Sequence, residues 1–455
     1  MRLYDSSQID KNHLLFSGND LKKLLIPLMI EQLLNSLMGM VDTMMVSNVG
    51  SEAISAVSLV DSINTLVIQV FAAMATGAAI ICSQYIGRGD HEGSNRAAKQ
   101  IFLTVIVISA ALTIVGLLFR QPLLHLIFGA IEPGVMEKAN IYFLITVLSY
   151  PFIALFNAGA AFFRASGDAK YPMKVSVSSN LINIAGNAIL IFALDMGVAG
   201  AALATLASRI FCTVVVFHRL ARPGQEIVLN HYFSIRPDLP LIVKILAIGV
   251  PSGIENGMFQ FGKLAIQSTV STLGTAAIAA QAMAIIFENV NGVAGIGIGI
   301  GLMTVVGQAI GAGRKEEAQY YIVKLSMYAE LAIILSCLFV FAISKPVMFL
   351  AGTESESTEI CFHMMIWITI VKPLVWVPSF IPGYGMRAAG DVKFSMIVAT
   401  CTMWFCRVAL AIFCMRFLDV GPMGVWIGMF ADWTIRGIIF CIRFCSGKWL
   451  KKKVI

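Results

Sequence analysis

The chain has 455 residues, of which 58% are apolar and only 13% charged, against roughly a quarter charged in an ordinary soluble protein. That balance excludes a soluble globular protein. The net charge of +7 comes from basic residues set in short loops and not on one solvated face, which excludes a nucleic-acid partner.

Residues 1–20 are polar and lack the short apolar core and cleavage site of a signal peptide, so the first apolar block is expected to remain as a spanning helix. Twelve blocks of bilayer-crossing length, about 20 residues or more, then follow with no sizeable soluble stretch between them. They cover 21–47, 53–80, 96–119, 138–160, 171–194, 197–219, 241–271, 275–308, 318–343, 360–384, 393–416 and 422–444. The predicted fold is therefore all-α and polytopic. Of the 33 Lys and Arg, 24 lie on the side that carries both termini, whereas the opposite loops hold only Arg120, Lys138, Lys345 and Arg416. The positive-inside rule then puts both termini in the cytoplasm of a cell-membrane protein.

An internal repeat organises the chain. Pro27 and Glu31 recur 224 residues later as Pro251 and Glu255, and Gly50 recurs as Gly274. Gln84-x-x-Gly87-x-Gly89 recurs as Gln308-x-x-Gly311-x-Gly313, and Asp195-x-Gly197-x-x-Gly200 as Asp419-x-Gly421-x-x-Gly424. At a shift of 223, Arg164-x-x-Gly167-Asp168-x-Lys170 returns as Arg387-x-x-Gly390-Asp391-x-Lys393. Apolar bias can match Leu with Ala by accident, but it does not place Gly, Pro, Gln, Arg and Asp at one constant shift. The layout is a cytoplasmic segment 1–20, an amino-terminal lobe 21–219, a cytoplasmic linker 220–240, a carboxy-terminal lobe 241–444 and a basic tail 445–455. Because six spans return the chain to the same face, the two six-helix bundles are expected as parallel repeats. Two such bundles on one strap meet the mechanical requirement of alternating access.

Ionisable groups at membrane depth are costly, about 2.5–3.5 kcal/mol each on the insertion scale, so those inside spans are candidates for a wet cavity. Asp42 in the first span leads. Glu31 and Asn35 precede it by 11 and 7 residues on nearly the same helical face. Desolvation makes its charge costly, so the carboxyl can take up and release a proton near neutral pH. In the fifth span Asn180, Asn183 and Asn187 recur at spacings of 3 and 4 and put three amide oxygens on one face. Polar glue between helices is the competing role for each Asn. Glu255 is the repeat mate of Glu31. Glu288, after Gln281, occupies the position of Asn64 in the first repeat, and Lys263 or Lys372 can neutralise it. Asn157 and Gln260 complete the set of candidate substrate or secondary cation residues. Asp432 and Arg436, one turn apart, are expected to pair.

Gly292, Gly295, Gly297, Gly299 and Gly301 look superficially like a dinucleotide loop, but no strand precedes them, and close helix packing is the expected use. The nine cysteines show neither CxxC spacing nor clustering with His, so no metal and no disulfide frame are expected. No HExxH, GxSxG or nucleotide loop is present, which argues against an enzyme.

Together these motifs resemble the multidrug and toxic compound extrusion (MATE) transporters: Pro27-x14-Asp42-Thr43-x-Met45, the paired Gln-x-x-Gly-x-Gly turns, the paired Arg-x-x-Gly-Asp-x-Lys loops, and Asn180-x-x-Asn183 followed by Gly197-Val-Ala-Gly-Ala-Ala. The resemblance covers nearly the whole chain. It implies two six-helix lobes forming a V, and export of cationic or amphipathic drugs against an inward flow of H+ or Na+, with no other cofactor. The small organic cation and the lipid bilayer would be its partners, and the chain would act as a monomer. It also implies that Asp42 is the amino-lobe acid, with Asn183 and Asn187 as its helix 5 partners. Where many relatives carry an acid, this chain has Asn187. At the positions of the sodium-coupled branch's Glu and Asp in the other lobe stand Gln260 and Trp376, so coupling would fall to Asp42, or to Glu255 and Glu288 in a different geometry. A flippase for a lipid-linked sugar, drawn from the same superfamily, is the alternative that Lys263, Lys372 and Arg407 keep open.

Overall fold

The computed structural model describes residues 9, 13–129, 132–230, 232, 235–452 and 454, and every regular element among them is helical. Arg2, Lys11 and Lys453, which enter the loop-charge argument, and the side chain of Thr43 fall outside the described residues.

Two compact units divide the chain, one of 34–253 and one of 1–33 with 254–455. The first comprises the later part of α1 (Gly18–Ser47), then α2 (Ser51–Arg88), α3 (His91–Leu118), the short α4 (Arg120–Phe128), α5 (Pro133–Leu148), α6 (Tyr150–Ala165), α7 (Lys170–Asn187), α8 (Gly197–Leu220) and the start of α9 (Leu239–Val270). The second takes the start of α1 and the rest of α9. To these it adds α10 (Thr275–Gly311), α11 (Lys315–Leu350), α12 (Ser355–Ala388), α13 (Val392–Cys401), α14 (Leu410–Phe417) and α15 (Met423–Cys445). The division thus falls within α1 and α9 rather than in the loops beside them.

Among the described residues eleven helices are long and apolar enough to cross a bilayer, and the α5–α6 pair, bent by 43°, makes twelve if it is counted as one span. The break has a local cause. Pro151 in the first turn of α6 brings no N–H to continue the ladder and fixes its own φ. Ser149 at the break donates to the Thr146 carbonyl at 2.6 Å and accepts from Arg209 of α8, also at 2.6 Å.

The repeat is written into the backbone. Gly89 and Gly313 have φ of 75° and 76°, and Asp195 and Asp419, repeat mates without a glycine's freedom, have φ of 50° and 51°. In each half the fifth helix leaves the α ladder for a π-helical stretch, Ala188–Ala193 after α7 and Thr402–Ala409 after α13. Such stretches concentrate at functional sites.

The glycine run of α10 packs helices closely. A Cβ on Gly297 would stand 2.9 Å from both the backbone N and Cα of Met29, and one on Gly295 would run into the Trp376 ring. All nine cysteines are free, and no group of His, Cys, Asp and Glu suited to a metal occurs among the described residues.

Candidate functional site

The 34–253 unit holds a partly open cavity of about 150 Å³ around Asp42, lined also by Ser58, Asp61, Tyr142, Asn187 and Thr205. Drug-sized ligands occupy roughly 300–1,000 Å³, so this space suits an ion with a few waters and not a drug.

A chain of hydrogen bonds leads to the acid. Thr205 of α8 donates to the Ala201 carbonyl at 3.0 Å and accepts from Asn183 Nδ2 at 3.2 Å. Asn183 Oδ1 in turn accepts from Asn187 Nδ2 at 3.2 Å, and the same Nδ2 donates to Asp42 Oδ1 at 2.9 Å. The 3.6-residue period accounts for the relay, since Asn183 and Asn187 lie one turn apart on one face of α7. Asn187 Oδ1 is left buried with no hydrogen-bond partner. A lone acceptor beside a carboxylate is a place for a proton on that carboxyl or for a small cation, because either supplies the positive charge the oxygen lacks.

A second relay adjoins the first. Asp61 Oδ1 accepts from Asn64 Nδ2 at 3.1 Å and from the Tyr142 hydroxyl at 3.3 Å, while Tyr150, placed just after the α5–α6 break, donates to Asn64 Oδ1 at 2.8 Å. Arg209 of α8 sits within electrostatic reach of Asp42 and Asp61. Its printed hydrogen bond is to Ser149, and no base lies within ion-pair distance of Asp42 among the described residues.

The structure brings Asp42, Asn183 and Asn187 together. Asn180 and Asn157 are half-buried and do not line the cavity, and Asn35 is exposed. Glu31 is buried at the start of α1, in the other unit. Sequence patterns do not single out Tyr142, Thr205 or Arg209, and Asp61 is legible only as an acid within the second apolar block. Arg209 carries a legible signal, a lone base inside the apolar sixth block.

The remaining candidates lie in the 1–33 and 254–455 unit, and three of them, Glu255, Gln281 and Glu288, are already engaged. Glu255 Oε1 accepts from Arg387 Nη2 at 2.6 Å, and Gln281 Oε1 accepts from Trp426 Nε1 at 3.0 Å. Glu288 Oε1 is held by Lys372 Nζ at 2.7 Å, and the same ammonium donates to Asn291 Oδ1. The lysine therefore neutralises the acid that occurs in only one repeat. Gln260 is half-buried on α9. Asp432 pairs with Arg436 at 2.7 Å and also with Arg407 at 2.8 Å.

Eleven or twelve apolar spans among the described residues, in two repeats, with polar relays set between the helices, define a multi-pass membrane transporter. The MatE family model matches both repeats, over residues 27–189 and 251–413, and the chain belongs to that family, whose members are transporters and not enzymes. The probable multidrug resistance protein NorM of Thermotoga maritima is 28% identical over 96% of this chain and 94% of its own length. The uncharacterized transporter YisQ of Bacillus subtilis is 28% identical over 97% and 96%. A solved outward-facing structure of a multidrug resistance MATE transporter superposes with a TM-score of 0.88 at 21% identity, covering 95% of this chain and 96% of that one.

Proposed function

We propose that the protein is a secondary antiporter of the cell membrane, with both termini cytoplasmic, that exports cationic or amphipathic organic compounds in exchange for H+ or Na+ held at Asp42. The observation that carries this reading is the unpaired Asn187 Oδ1 beside Asp42 in a cavity of ionic size. A carboxylate kept out of bulk water and away from an ion-paired base gains most from a cation or proton, and loses it when the cavity opens to the other face. Binding at Asp42 and binding of cargo then exclude each other, which couples the two flows. Asn183, Asn187 and Thr205 orient the acid, and Tyr142 with Asn64 holds Asp61 beside it. The engaged acids Glu255 and Glu288 take no part in ion exchange.

Reconstituted protein in liposomes, given a dye cargo and an imposed pH or Na+ gradient, tests the assignment. Asp42→Asn is expected to abolish gradient-driven export. Export that persists at the original rate refutes the role given to Asp42, and the gradient that drives the unmodified protein names the ion.

A further inference from the structure

The unit formed by 1–33 and 254–455 carries a charge cluster of the opposite sign, in which Lys372, Arg407, Asp432 and Arg436 are buried. Lys263, Lys372, Arg407 and Arg436 are gathered there against two carboxylates, Glu288 and Asp432. Glu288 is taken by Lys372, and Asp432 is shared between Arg407 and Arg436. Lys263 has no carboxylate within ion-pair distance among the described residues, and it is exposed although it lies inside the α9 span. A lysine at membrane depth is costly among acyl chains, and such residues are almost always turned to the bundle interior or a wet cavity.

Aromatic rings knit the bases into one patch. Lys263 Nζ and Arg407 Cζ lie 4.9 and 5.0 Å from the centre of the Phe259 ring, and Arg407 and Lys372 each lie 5.9 Å from that of Trp433. Three buried donors in the patch have no hydrogen-bond partner: Arg407 Nε, Trp433 Nε1 and Asn291 Nδ2. Their residues are 3%, 1% and 0% exposed. Asp432 Oδ2, the one acceptor of the cluster without a hydrogen bond, is already ion-paired with Arg407, so the three donors, beside four bases and two acids, call for a further acceptor that carries negative charge. Arg407 also sits in the π-helical stretch Thr402–Ala409, the counterpart of the one that begins directly after Asn187.

We propose that this patch binds the oxyanion of an organic ligand, a carboxylate or phosphate ester on a flat body that the rings can cover. The site adds a negatively charged group to the chemistry the protein handles. It does not depend on ion exchange at Asp42.

The test uses purified full-length protein in phosphatidylcholine nanodiscs, with no gradient, so its failure leaves the Asp42 reading standing. Tryptophan quenching is followed on titration with 4-nitrobenzoate, 4-nitrophenyl phosphate and the cation 4-nitrobenzylammonium. The two anions are expected to bind saturably and at least about tenfold more tightly than the cation. Lys263→Gln is expected to weaken anion binding about five- to tenfold, and Glu288→Gln, which releases Lys372, to tighten it by a similar factor. Competition by added phosphatidylglycerol identifies a lipid headgroup as the natural source of the oxyanion, and its absence identifies a dissolved solute. Equal binding of cation and anions, or shifts of the two variants in the same direction or not at all, overturns the proposal.

Discussion

Gly297→Ala is the sharpest probe of how α10 is packed. The new methyl carbon would stand 2.9 Å from the N and Cα of Met29 and 3.1 Å from its Cγ. Two of those three atoms are backbone of α1 and cannot rotate aside. Overpacking of this kind costs about 1–3 kcal/mol, and the better helix propensity of alanine returns at most about 1 kcal/mol. Gly257→Ala is the matched control. It lies inside α9 with nothing within 4 Å of its added carbon, so only the propensity gain applies. Thermal denaturation in detergent, followed by tryptophan fluorescence, should show a lowered midpoint for Gly297→Ala and an unchanged or raised one for Gly257→Ala. Equal shifts for the two, or a raised midpoint for Gly297→Ala, would refute the argument that α10 meets α1 backbone to backbone.

Asn187→Ala removes the amide that donates to Asp42; with hydrogen bonds to charged groups at about 1.5–3 kcal/mol, gradient-driven efflux should fall tenfold or more, while Asn180→Ala, outside the cavity, stays within about twofold. Arg387→Gln leaves the half-buried Glu255 without its base and should lower thermal stability, by less than the about 3–5 kcal/mol of a fully buried pair, whereas adding Glu255→Gln in the same chain should recover much of the loss. A double variant no more stable than Arg387→Gln alone would assign the loss to something other than the stranded acid. Asp432→Asn strands both Arg407 and Arg436, so it should reduce the yield of folded protein more than Arg436→Gln, which leaves Arg407 on the carboxylate.

Much of the fold was legible because membrane spans announce themselves one at a time. Each predicted span meets an observed helix or helix pair within several residues. The fourth was expected as one continuous span and is two helices meeting at Ser149, a break that turns on Pro151 and on an arginine from α8. The repeat read from constant spacing is matched in the backbone, where Asp195 and Asp419 share a left-handed φ. The site was legible only along single helices. Asn183 and Asn187 share a face by periodicity, but Tyr142 and Thr205 reach the cavity from α5 and α8, and no local pattern links those helices to α1. Glu288 and Lys372 are 84 residues apart, so the sequence offered two bases for one acid, and only packing chose between them.

The sharing of α1 between the two units has a consequence for how the protein is made. Leu21, Leu24, Leu25 and Leu28 are almost wholly covered in the finished molecule, yet the unit to which they belong draws the rest of its residues from beyond position 253. As the polypeptide leaves the ribosome, the opening turns of its first helix must wait until α10, which packs against Leu24, Leu25 and Leu28 at Gly301, has been made. A gene cut in the linker would therefore yield two fragments, each missing part of its own core, and neither should mature without the other.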